Sequence, residues 1–149
     1  MKLGFLLAVA AAGFLATYFH LVFALTANRV GLAKLDLAKG TGKLLFGDSY
    51  DGEPPYILGL AAVHLNGIIF ALVYATAVGP ALSGPNLLRG LIFGGLLYLY
   101  AQLIHVPVFM KGGLFSHKVN PRAWLTAAGA HAIYGVILGW LAPLNEIIL

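Results

Sequence analysis

Four long apolar segments, near residues 3–25, 57–80, 87–110 and 123–144, set the pattern of this chain. Between them polar residues return in an alternation of long, short and long connections: residues 26–56, the tight "ALSGPN" at 81–86, and "KGGLFSHKVNPR" at 111–122. Each apolar segment exceeds the roughly 20 residues that cross a hydrocarbon core of about 30 Å at 1.5 Å per residue. Backbone groups in lipid must find partners within their own segment, so the pattern predicts four helices. The expected fold is all-α: a transmembrane four-helix bundle of up-down topology in a single domain over residues 1–149.

The opening segment, "MKLGFLLAVAAAGFLATYFHLVFAL", begins like a secretory signal, with a basic residue and small side chains. Its apolar run outlasts the about 7–15 residues of a signal core, so it reads as a span. Pro54, Pro55 and Pro121 fall just before helices, where a missing N–H costs nothing, and Asn120 is a candidate cap. In the first long connection, "ANRVGLAKLDLAKGTGKLLFG" interleaves leucine and lysine. Two readings stay open for it: a short interfacial helix with its apolar side among lipid headgroups, or an ordinary loop packed over the bundle. The following "GDSYDGEPPY" is turn-rich. Its acids Asp48, Asp51 and Glu53 lack the EF-hand spacing, so a solvated loop is expected there.

Composition strengthens the membrane reading. Of 149 residues, 60% are hydrophobic and 9% charged, against about 25% charged in soluble domains; mean hydropathy is +0.90. The absence of cysteine removes disulfides, thiolate metal sites and thiol nucleophiles. The net charge of +4 is spread over the connections, which suits lipid headgroups and gives no nucleic-acid footprint. Arg29, Lys34, Lys39, Lys43, Lys111, Lys118 and Arg122 lie on the side of the two longer loops, with Lys2 and Arg89 opposite. The positive-inside rule then puts loops 26–56 and 111–122 in the cytoplasm and both termini on the non-cytoplasmic side.

Every apolar segment carries one histidine: His20, His64, His105 and His131. Allowing for alternating helix direction, all four are expected about 3–10 Å to the cytoplasmic side of the midplane. Each shares a helical stripe with small or polar residues: His20 with Gly13 and Thr17, His64 with Gly67 and Ala71, His105 with Gly94, Tyr98 and Gln102, and His131 with Gly135 and Gly139. Such stripes mark helix contact faces in membranes. The imidazoles are thus expected to point inward with Asn66, Gln102, Thr17, Tyr98 and Thr126.

A polar layer of this kind has a structural reading, in which the rings bond one another and fix helix register. Three functional readings stand beside it. A b-type haem would take axial imidazoles from diagonal helices, His64 with His131 or His20 with His105. A transition metal such as zinc or copper would need three or four converging rings. A proton or quinone site would use imidazole's titration near neutral pH. No HExxH, GxSxG or Walker spacing is present, "GTG" at 40–42 is too short for a phosphate loop, and His117 falls in a polar connection. Glu146 sits at an outer end, which leaves no carboxylate within the spans and weakens a transporter or proton-channel reading.

"GIIFALVYA", "GLIFGGLLY" and "GVILGWLA" echo one another, each with a small residue four positions after glycine, as helix packing alone produces. Beyond this, "HLNGIIFALVYA", "LLRGLIFGGLLYLYAQLIHVPVF", "GAHAIYGVILG" and "GLAKLDLAKGTGKLLFG" resemble the signature segments of a family of small four-helix bacterial inner-membrane proteins known only as a domain of unknown function. The resemblance spans nearly the whole chain and implies a compact four-helix membrane protein with histidines on its second and fourth spans, here His64 and His131. It brings no activity with it and does not extend to His20 and His105. The function expected is that of a multi-pass accessory or scaffold subunit of the bacterial inner membrane, without a self-contained catalytic site. Its expected partners are the lipid bilayer and either a second copy or a larger membrane complex. Haem b or a transition metal are the cofactors of the alternative electron-transfer reading.

Overall fold

A computed structural model describes residues 2–47 and 53–144. Among them every regular element is helical. Helix α1 spans Leu3–Thr26 and tightens into the turn Ala27–Val30; α2 spans Leu37–Phe46; α3, α4 and α5 are the helical runs Glu53–Ala81, Asn86–Phe109 and Ala123–Leu141. Leu3–Val30, Glu53–Ala81, Asn86–Phe109 and Ala123–Leu141 are long and apolar enough to cross a membrane. Asp48 and Asp51 of the turn-rich segment, and Glu146, lie outside the described residues.

The helix bounds shift from expectation for local reasons. Helix α3 is already helical at Glu53, four residues before the apolar run, and takes in Pro54 and Pro55. Helix α5 stops at Leu141 since Ala142 precedes Pro143 and is held extended, at φ −77° and ψ 123°. Asn120 is not a cap: its Oδ1 accepts the Arg122 N–H at 2.8 Å, a turn just ahead of α5. The first long connection combines features of both readings left open for it. It contains a helix, capped by Asp36, whose Oδ1 accepts the Lys39 N–H at 2.9 Å, and that helix lies along the start of α3. Gly42 and Gly59 let the two backbones touch; a Cβ on Gly59 would lie 2.6 Å from Gly42 N.

Glycine also joins the long helices. Gly90 and Gly94 on α4 face Gly135 and Gly139 on α5, and a Cβ on Gly90 would stand 2.6 Å from Gly139 N. On α1, a Cβ on Gly13 would stand 2.6 Å from the Ala71 Cβ of α3, while Gly67 presses on Thr17. Residue numbers rise on one helix as they fall on the other in both pairs, so each pair is antiparallel. Dispersion and backbone approach supply the attraction here, since lipid offers no hydrophobic drive between helices.

The core is correspondingly fine-grained. Val9, Ala12, Ala16, Ala71, Tyr74, Ala75, Phe93, Tyr134, Leu138 and Ala142 fill it, and they lie toward the end where α3 turns into α4. Tyr74 spans that turn, its hydroxyl donating to the Asn86 carbonyl at 3.3 Å. Large apolar side chains instead cover the outside, among them Phe14, Phe19, Leu65, Ile104 and Trp140, the last 79% exposed. Trp124 and Trp140 mark the two ends of α5, about 24 Å apart at 1.5 Å per residue, where membrane helices carry interfacial aromatics.

Candidate functional site

Away from the alanine-packed end the helices part. Helix α1 packs on both α3 and α5, and α4 packs on α5, but the Glu53–Val73 part of α3 has no extended approach to α4. The parting encloses a chamber of about 650 Å³. Its roof comes from α2 and the segment before it, with Gly40 reaching the Met110 methyl at the end of α4. Its mouth falls between α3 and α4, where Asn66 and Tyr100 are exposed and also line it. Phe70 and Tyr100 meet across that mouth edge to face, with centroids 6.4 Å apart.

The α4 wall of the chamber contains Pro107. A proline lacks the N–H of the helical ladder, and its ring collides with the carbonyl one turn back. The helix responds by widening over Ala101–Phe109 into π turns, such as the Met110 N–H to His105 carbonyl bond at 3.4 Å. Wide turns of this kind concentrate at functional sites. Here the widened stretch carries Gln102 and His105, both on the chamber wall.

The anticipated histidine layer is divided by this geometry. His20, His105 and His131 line the chamber together with Thr17, Asn66 and Gln102. His20 and His131 are in ring contact, centroids 4.8 Å apart and planes inclined by 56°. His64 is not on the chamber wall; its ring packs on Phe14, centroids 4.6 Å apart. Tyr98 is also absent from the wall and stands edge-on to His131 at 6.0 Å. Thr126 ties α5 to the preceding connection by donating to the Ala33 carbonyl at 2.7 Å. Of the two diagonal haem pairs, His64 and His131 are thus on different sides of the chamber boundary, whereas His20 and His105 share the chamber. Among the described residues no three histidines or carboxylates group as metal ligands, so the convergence a metal needs is not formed.

Hydrogen bonding decides which polar groups remain free for a ligand. The Thr17 hydroxyl donates to the Gly13 carbonyl at 2.8 Å, and the Tyr134 hydroxyl to the Gly67 carbonyl at 2.6 Å. His131 Nδ1 lies 2.8 Å from the Ala127 carbonyl oxygen; a carbonyl only accepts, so Nδ1 carries the proton and Nε2 of the neutral ring is an acceptor. Gln102, only 2% exposed to the outside, accepts from the Ser116 hydroxyl at 2.8 Å through Oε1. Its amide NH₂ has no protein acceptor among the described residues, and neither ring nitrogen of His20 has a protein hydrogen-bond partner there. A donor on α4 therefore faces the same space as a donor–acceptor pair on α1 and α5.

Five further residues of the lining stand outside the expected polar layer. Ser116 reaches Gln102 from a loop whose Phe115 and Ser116 adopt φ of 52° and 58°, the left-handed region that costs about 1–3 kcal/mol per non-glycine residue. No sequence signal marks it. Tyr134 shares the His131 face, one helical turn on, and that spacing is the signal that could have found it. Lys34, Asp36 and Lys43 bring charge to the roof, beside its uncharged lining residues such as Leu37 and Thr41. No protein-family model, curated protein or solved structure matches the chain.

Proposed function

We propose that the chain is a four-span, up-down bundle of the bacterial inner membrane that works as an accessory subunit by binding a lipid-soluble molecule in its chamber. The single observation carrying this reading is the chamber itself: about 650 Å³, within the range of small-molecule sites, mostly apolar, with polar groups left without protein partners. A mouth between two apolar helices admits a molecule from the bilayer plane rather than from water. Basic residues crowd the connections at the chamber end, which under the positive-inside rule puts the roof in the cytoplasm and both termini outside. A haem or metal role has less support, because the His64–His131 pair and a three-ring cluster are both unformed.

The chain has no cysteine, so single-cysteine variants report cleanly. In membranes, Asn66→Cys at the mouth should react with a lipid-soluble maleimide and Leu138→Cys in the core should not. Filling the chamber with Ala130→Phe should slow the Asn66→Cys reaction or displace co-purifying lipid-soluble material. Equal reactivity of all three proteins would dismiss the chamber. For orientation, a membrane-impermeant maleimide should label Ser83→Cys in intact spheroplasts and His117→Cys only after permeabilisation; the reverse result would invert the bundle.

A further inference from the structure

Resting on that reading, we infer that the chamber's ligand is a neutral quinone or quinol with an isoprenoid tail, its ring held between Gln102 and the His20–His131 pair and its tail leaving between α3 and α4.

The charge distribution narrows the ligand first. The chamber's spans contribute neutral amides, hydroxyls and imidazoles, and its charged lining residues, Lys34, Asp36 and Lys43, all come from the roof. A carboxylate or phosphate headgroup would have to sit under that roof, away from the free donors deeper in. A neutral headgroup reaches those donors at no cost in charge desolvation.

Hydrogen-bond capacity narrows it further. The Gln102 NH₂ is a donor and requires an acceptor on the ligand. The opposite station offers His131 Nε2, an acceptor in the neutral ring, beside the unpartnered His20 ring, which supplies one donor and one acceptor. That station can take either a carbonyl or a hydroxyl. A quinone presents a carbonyl at each end of a flat ring, and its reduced form presents hydroxyls that both donate and accept. A fatty alcohol satisfies one station and leaves the other unpartnered.

Shape agrees. Tyr134, Phe70 and Tyr100 bring aromatic rings to the wall, surfaces on which a flat ring packs well. The volume accommodates a headgroup with its first isoprene units. The gap between α3 and α4 then gives an apolar tail a continuous route into lipid, past the edge-to-face Phe70 and Tyr100 pair.

Equilibrium binding of decylubiquinone and a short-chain menaquinone to the full chain in nanodiscs tests this, with oleate and phosphatidic acid as comparison probes. Saturable quinone binding is expected, weakened about tenfold by Gln102→Leu and by His20→Leu, the loss of one hydrogen bond in a dry site. Gln102→Glu and His20→Asn serve as second variants should a leucine variant fail to fold; Leu65→Ala, outward-facing and off the chamber wall, should leave quinone affinity unchanged, and Lys34→Ala with Lys43→Ala removes the roof's positive charge. Quinone binding indifferent to both deep positions overturns the inference. So does preferential binding of phosphatidic acid or oleate that disappears with the lysines, though the chamber would then stand. If no probe binds and Ala130→Phe changes nothing, the chamber reading falls as well.

Discussion

The ring of His20 lies against the ring of His131, centroids 4.8 Å apart, and so joins α1 to α5 at the edge of the chamber. Neither ring depends on the other for a hydrogen bond: His131 donates within its own helix to Ala127, and His20 has no protein hydrogen-bond partner among the described residues. The contact is one of packing between two polar rings facing a cavity. A double-mutant cycle with His20→Leu and His131→Leu should therefore give a coupling of about 0.5–1.5 kcal/mol, the range of aromatic pairs, in reversible unfolding by chaotropic detergent. A coupling above about 3 kcal/mol would show a direct bond between the rings instead.

His64 behaves differently. Its Nδ1 is 3.0 Å from the Leu60 carbonyl, and its Nε2 is buried with no partner. An orphaned polar atom costs about 1–3 kcal/mol, and replacing it with an apolar group of similar shape can recover that amount. His64→Leu is expected to raise stability by about 1 kcal/mol. A loss of more than about 2 kcal/mol in the same unfolding assay would mean that His64 has a partner of its own.

The glycine seam between α4 and α5 predicts opposite results for two neighbouring glycines. Gly90→Val introduces atoms where Gly139 already sits, and about 1–3 kcal/mol of stability should be lost through overpacking. Gly95 has open space at its Cβ position, so Gly95→Ala should gain about 0.5–1 kcal/mol through helix propensity. Thermal unfolding of both variants checks the pair, and equal effects would refute the seam.

Ser116→Ala removes the hydroxyl that satisfies Gln102 Oε1. The expected loss is about 1–3 kcal/mol, since a buried acceptor is left open, and Gln102 should lose its fixed orientation. Ligand affinity and stability should fall together. Ser116→Thr, which keeps the hydroxyl, should retain part of both; a Thr variant no better than Ala would remove the role assigned to that bond.

Much of this architecture is legible in the amino-acid sequence. Apolar runs locate the four long helices because lipid-scale length leaves few alternatives, and the GxxxG step after His131 is the seam that α5 makes with α4. The residues expected inward include most of the polar side chains that the long helices bring to the chamber wall: Thr17, His20, Asn66, Gln102, His105 and His131. Stripe arithmetic fails at His64 and Tyr98 because it assumes straight helices equally spaced around one axis. The parting of α3 from α4 adds a cavity where equal spacing would place contacts. Ser116 depends on two left-handed backbone positions, which serine and phenylalanine do not announce.

The open side between α3 and α4 has a mechanical consequence in the proposed bilayer setting. Swinging α4 and α5 together about α1 widens the opening without disturbing the glycine seam, and it strains the ring pair of Phe70 and Tyr100, the touch of Gly40 on Met110 and the bond from Tyr134 to the Gly67 carbonyl. Such a swing enlarges the protein's footprint in the membrane plane. Tension in the sheet of lipid then does work on the protein, so stretched membranes should load and empty the site faster than slack ones.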